Sequence, residues 1–270
     1  MADITPTVAR ILVFDSGLGG LSIVENLAET GINSDIYYCA DTAYFPYGEK
    51  SAASLIERVP IIISQACSAS MANLVIIACN TASTLALDRV RARINIPVIG
   101  VVPAIKPAAA LTKSGVIGLL GTPNTVKRPY TDNLVSDFAQ GKKVLRHGAV
   151  GLAAAAEAKL AGRALDPSIV LACMDGLFGQ PDGDKIDTVV LACTHYPHLK
   201  AELQAAAPHA VTWVDSGAAI ARRARTVLNL TTGTKTVLRR AFTTGGYDVP
   251  TSVALRRWGF EKVLPLPPMA

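Results

Sequence analysis

The chain has 270 residues, half of them hydrophobic and 17% charged, with a net charge of +5. That length is comfortable for two α/β domains and allows a sizeable core. No apolar run reaches the roughly 18–20 residues of a membrane helix, and the opening MADITPTVAR lacks the basic-then-apolar pattern of a secretory leader, so a soluble, cytoplasmic protein with no membrane partner is expected.

In chain order, RILVF (10–14), DIYYCA (35–40), NLVIIA (73–78), PVIGVV (97–102), GVIGLL (115–120), DTVVLA (187–192) and AVTWV (210–214) read as strands. Several are apolar on both faces, as in a parallel sheet covered by helices on both sides. LSIVENLAET, ASTLALDRVRAR and AAAAEAKLAGRAL carry helical periodicity between them, with Gly31 as a stop after the first. Ser51 is a candidate N-cap for a helix over 51–72, which Pro60 should kink or split. The pattern predicts an α/β fold of two similar, doubly wound parallel-sheet domains. The Pro-rich VVPAIKP (101–107) marks the crossing between them. The expected division is 1–102 plus 211–270, carrying Asp15 and Cys79, and 103–210, carrying Cys193.

The five cysteines are odd in number and form no CxxC pair, so reduced thiols are expected. Cys39, Cys67 and Cys173 sit in apolar stretches and read as packing residues. Arg89, Arg91 and Arg93, like Arg222, Arg223 and Arg225, have the spacing of solvated helix faces. No aromatics are interleaved with them, so no nucleic-acid partner is required.

Four stretches carry chemistry. VFDSGLGGLS (13–22) partly matches a dinucleotide fingerprint, with Asp41 about where a ribose-binding acid would lie. Ser22 replaces the last glycine, however, and Asp15 would repel a pyrophosphate. Asp15 fits better as a carboxylate meeting an ammonium group or a thiol, with Ser16 contacting a small ligand. ADTAYFPYGEKS (40–51) forms a turn that presents backbone N–H groups. IIACNTASTLA (76–86) and VVLACTHYPHL (189–199) form a pseudo-repeat: a β-branched run, Ala-Cys, a polar pair, then a helix-like segment. Each places a thiol past the carboxyl end of a strand, where open α/β sheets hold ligands. A following helix N-terminus should favour thiolate. Cys193, His195 and His198 form C-x-H-x-x-H, but no second histidine cluster completes a zinc site, so no metal is expected. G-x-S-x-G is absent, which argues against a serine hydrolase. Two similar thiols on one site suit inversion of a carbon centre, one removing a proton from one face while the other delivers a proton to the opposite face.

Together FDSGLGGLS, ADTAYFPYGEKS, CNTAS (79–83), GTPNT (121–125) and LACTHYP (191–197) resemble the glutamate racemases of the aspartate/glutamate racemase family, in order along most of the chain. The resemblance implies a cofactor-independent enzyme making D-glutamate for peptidoglycan, with its site between two domains of pseudo-twofold similarity. It implies Cys79 and Cys193 as catalytic proton donors and acceptors, Asp15 assisting the first and His195 the second. Asp15, Ser16, Tyr47, Gly48, Asn80, Thr81, Thr122, Thr194 and His195 would bind glutamate. Glu157 in GAVGLAAAAEAKLAG is the best match for the family's further catalytic glutamate, although the Cys-Pro that usually precedes it is missing. Members are commonly homodimers, and some need a peptidoglycan-precursor activator. The short lead before Arg10 offers no extra site, so none is expected. A racemase of aspartate or another related substrate, or a silent protein that binds acidic amino acids, remains the alternative.

Overall fold

In the computed structural model, residues 8–31, 34–229, 238–246 and 249–267 are described. The lead before Arg10, where no activator site is expected, therefore lies almost wholly outside the described residues. The apolar runs form strands β1 (Ala9–Asp15), β2 (Ser34–Ala40), β3 (Leu74–Ile77), β4 (Val98–Gly100), β5 (Val116–Gly121), β6 (Lys143–Gly148), β7 (Thr188–Ala192), β8 (Thr212–Val214), β9 (Arg239–Thr243) and β10 (Lys262–Pro265). They build two sheets, ordered β10-β9-β2-β1-β3-β4 and β6-β5-β7-β8, with every pairing parallel.

The side-chain alternation of a strand explains why the central runs are apolar throughout. Ile11 and Val13 of β1 enter one core cluster while Leu12 and Phe14 enter the cluster on the other face. In the second sheet Val189 and Leu191 of β7 point one way, and Val190 and Ala192 the other. Strands β6, β9 and β10 carry basic or exposed residues, and they escaped the sequence reading for that reason.

β1–β4 and β5–β8 have the same spatial order: second, first, third, fourth. The first sheet adds β9 and β10 at its β2 edge. Cys79 and Cys193 both follow the third strand of their set, which gives the pseudo-repeat a structural basis.

Three expectations need correction. The strand at 212–214, placed at the start of the return to the first domain, pairs with β7 in the four-stranded sheet. The chain crosses back after it, where Ile220, Ala221 and Ala224 of helix Gly217–Leu228 join the core formed by Leu21, Ile23 and Val24. Pro60 does not divide its helix, which runs unbroken over Ala52–Ser70 with Ser51 accepting a hydrogen bond from the Ser54 N–H. Burial of Leu55, Val59, Pro60, Ile62, Ile63 and Ala66 along one face outweighs the missing backbone bond. The helix read over 153–165 spans Leu152–Leu160 only, because the chain turns at Gly162 with φ 82°. Gly31, at φ 63°, follows the first helix as expected. Among the described residues no helix is long and apolar enough to cross a membrane.

Candidate active site

Register brings the chemistry-bearing strand ends together. Asp15 ends β1 opposite Ala40 of β2, and Phe14 pairs with Ile77 of β3, two residues before Cys79. In the second sheet Gly121 pairs with Ala192, which sets Thr122 beside Cys193. In both strand sets the first and third strands lie next to each other with their onward connections diverging, the switch point at which such sheets hold ligands. Cys79 and Cys193 line one small cavity together with Ser16, Tyr47, Gly48, Asn80, Thr81, Thr122, Thr194 and His195. Both thiols are 7% exposed, and the cavity holds only about 20 Å³. A roomier cavity of about 790 Å³, lined by Leu87, Arg91, Tyr130 and Arg223 among others, contains no thiol. Size does not mark the site here; the convergent polar groups do.

Around Cys193 the domains interlock. The His195 Nδ1 lies 3.8 Å from the Cys193 sulfur, and its Nε2–H donates to Glu157 Oε2 at 2.7 Å. Glu157 also accepts the Leu18 N–H of the first domain at 2.8 Å. Burial alone would lower the His195 pKa, but hydrogen bonds and charge from Cys193 and Glu157 raise it well above the ordinary value. Gly17 and Gly19 of GLGG admit this pair. A Cβ on Gly19 would overlap the His195 ring, and one on Gly17 would stand 2.7 Å from Glu157 Oε2. Their role here is close approach by a second domain.

The Cys79 side is built differently. Cys79 occupies the N-cap of helix Asn80–Arg93, and its sulfur lies 4.0 Å from Ser16 Oγ. Ser16 donates to Asp15 Oδ1 at 3.4 Å, Gly17 N–H donates to the same oxygen at 2.9 Å, and Thr194 of the second domain donates to Oδ2 at 2.9 Å. Asp15 is fully buried, and desolvation raises its pKa against the pull of His195 and these hydrogen bonds. Burial, reinforced by the Asp15 charge, pushes the Cys79 thiol far up despite the Ala82 N–H of the helix's first turn. The expected thiolate-favouring effect of the helix N-terminus is therefore outweighed at Cys79 in the closed site. Cys193 stands at no helix start: a 3₁₀ turn over Tyr196–Leu199 separates it from helix Lys200–Ala206.

Among the remaining expected residues, the Asn80 side-chain oxygen is buried with no hydrogen-bond partner. Thr81, Thr122 and Thr125 form a hydroxyl chain, Thr81 to Thr125 at 3.4 Å and Thr122 to Thr125 at 2.9 Å. Gly48 packs on Thr122, while the Tyr47 hydroxyl turns to Asp41 at 2.5 Å. His198 does not join His195 around Cys193; its Nε2–H donates to the Gly19 carbonyl at 3.1 Å. Phe45, whose ring lies 5.5 Å from that of His195 and which also lines the cavity, escaped the sequence reading. Thr125 and Leu18 escaped it too. Phe45 sits inside a quoted motif, but nothing in its spacing separates it from the packing aromatics around it.

The sequence pattern of the Asp/Glu/Hydantoin racemase family matches residues 21–224. The glutamate racemase of Sphingopyxis alaskensis is 51% identical over 225 residues, 83% of each chain. That of Salmonella typhimurium is 41% identical over 271 residues, covering 97% of this chain and 94% of its own. The crystal structure of Escherichia coli glutamate racemase with L-glutamate and the activator UDP-MurNAc-Ala superposes with a TM-score of 0.89 at 38% identity, covering 98% of this chain and 100% of that one. The chain therefore belongs to the Asp/Glu/Hydantoin racemase family of isomerases.

Proposed function

We propose that the protein interconverts L- and D-glutamate by proton exchange at the α-carbon, using Cys79 and Cys193 as its two acid–base groups and no cofactor. One observation carries this reading: two buried thiols, one from each domain and each after the third strand of its set, share one cavity with separate proton-handling neighbours. One thiolate takes the α-proton and becomes a thiol. The other thiol returns a proton to the opposite face and becomes the thiolate, so the enzyme ends one turnover poised for the reverse. His195, protonated and braced by Glu157, serves the Cys193 side; Asp15, through Ser16, serves the Cys79 side. Asn80, Thr81, Thr122, Thr194 and the Tyr47–Gly48 backbone supply polar contacts for the substrate. Glutamate is favoured because the relatives that cover most of the chain are glutamate racemases, one of them solved with L-glutamate. D-glutamate of this origin would serve peptidoglycan synthesis.

The test is a proton NMR time course of L-glutamate in D₂O with purified protein and no added cofactor or metal, read alongside a chiral assay. Loss of the α-proton signal with D-glutamate appearing is the expected result. No exchange with glutamate, but exchange with aspartate, would reassign the substrate. Exchange with neither would withdraw the racemase reading for these amino acids.

A further inference from the structure

Asp41 matched the place of a ribose-binding acid in the sequence, yet its carboxylate is committed to the protein. The residue is fully buried immediately after β2. Its carboxylate accepts from Arg58 Nε at 2.6 Å and an Arg58 Nη at 2.7 Å, from the Tyr47 hydroxyl at 2.5 Å and from Thr244 Oγ1 at 2.5 Å. The donors come from three segments: the loop carrying Tyr47, helix Ala52–Ser70, and the chain after β9. Arg58 also lies over the Tyr44 ring, 4.9 Å from its centre, and Lys50 lies 5.1 Å from the same ring. Burial works to raise the Asp41 pKa, but hydrogen bonds from Arg58, Thr244 and Tyr47 outweigh it and hold the group ionised.

The cluster fixes a wall of the cavity. Phe45, Pro46, Tyr47 and Gly48 all line the space between the thiols, whereas Asp41 and Arg58 do not reach it. With its hydroxyl bound to Asp41, Tyr47 ties this cavity-lining loop to the buried cluster. The loop also meets the second domain, where Phe45 lies against His195 and Asn124 Nδ2 donates to the Gly48 carbonyl at 2.7 Å. A shift of this loop would therefore move a substrate-facing surface and its seat on the second domain together.

We propose that Asp41 and Arg58 are positioning residues that hold the Phe45–Gly48 loop as the wall against which the substrate is bound, a role that rests on the racemase reading above. A pair that only held the fold together would lower thermal stability and the amount of active enzyme, and leave KM unchanged. A positioning pair changes KM.

The test measures kcat, KM and melting temperature for both glutamate enantiomers in the wild type and in Arg58→Lys, Asp41→Asn and Tyr47→Phe. Loss of hydrogen bonds to a buried carboxylate should raise KM about tenfold, with kcat altered by less than about threefold. Arg58→Lys keeps the charge without the two-pronged geometry and should fall between wild type and Asp41→Asn. Should Asp41→Asn fail to fold, Tyr47→Phe, which removes one hydroxyl, carries the comparison. Wild-type KM in folded variants, or a fall in kcat alone, overturns the positioning role while leaving the racemase reading intact. A wild type inactive on glutamate removes both, and that arm is read first.

Discussion

His195 sits between the Cys193 sulfur and the Glu157 carboxylate, so in the proposed reaction its proton would decide what the second thiol can do. Its pKa is raised because its two neighbours outweigh burial, so the imidazole stays charged through neutral pH. A base whose folded pKa lies above its unfolded value contributes stability below the unfolded value and loses it as pH rises through the folded one. The same deprotonation should give the wild type an alkaline limb in its kcat profile. Changing His195→Asn should lower kcat about 100-fold and remove that limb. A pH–rate series on both proteins is the check, and an unchanged profile would exclude the role. Burial pushes the Cys67 thiol up to about 12 and Cys173 to about 11, as it also raises Cys79, but neither of the two lines the cavity, and that placement fits packing.

At the scale of elements, the strand ends were legible because β-branched runs followed by small polar residues announce a buried strand and its exit. Cys79, Cys193 and Asp15 were placed by that logic alone. Strands β6 and β9 were not legible, since Arg239 and Arg240 begin β9 and β6 is mostly half-exposed, so neither shows a clean apolar run. The purpose of GLGG was also hidden. Leu18 and Glu157 lie 139 positions apart, and only the folded chain puts a carboxylate and an imidazole against those glycines. Glu157 itself came from family resemblance, because an Ala-rich helix gives no spacing signal for a catalytic acid. The close approach makes Gly19→Ala informative. A methyl group there must displace the His195 ring, so kcat/KM should fall about 100-fold in steady-state assays. Wild-type kinetics in that variant would show that the ring's placement is unimportant.

The whole molecule is closed over its site. Thr194 reaches Asp15, Ser22 donates to the Thr194 carbonyl at 3.1 Å, and His198 reaches Gly19, each bond joining one domain to the other. A cavity of about 20 Å³ has room for about one water. In the proposed reaction glutamate would enter only if the domains part and then close again, which would exclude water around the α-carbon. The central claim is that both sulfurs exchange protons with one substrate carbon. Its most direct measurement is racemisation of L- and D-glutamate by Cys79→Ala and Cys193→Ala separately, with folding checked by circular dichroism. Each folded variant should lose activity by about 1,000-fold or more in both directions. Wild-type racemisation by either one would contradict the two-thiol mechanism.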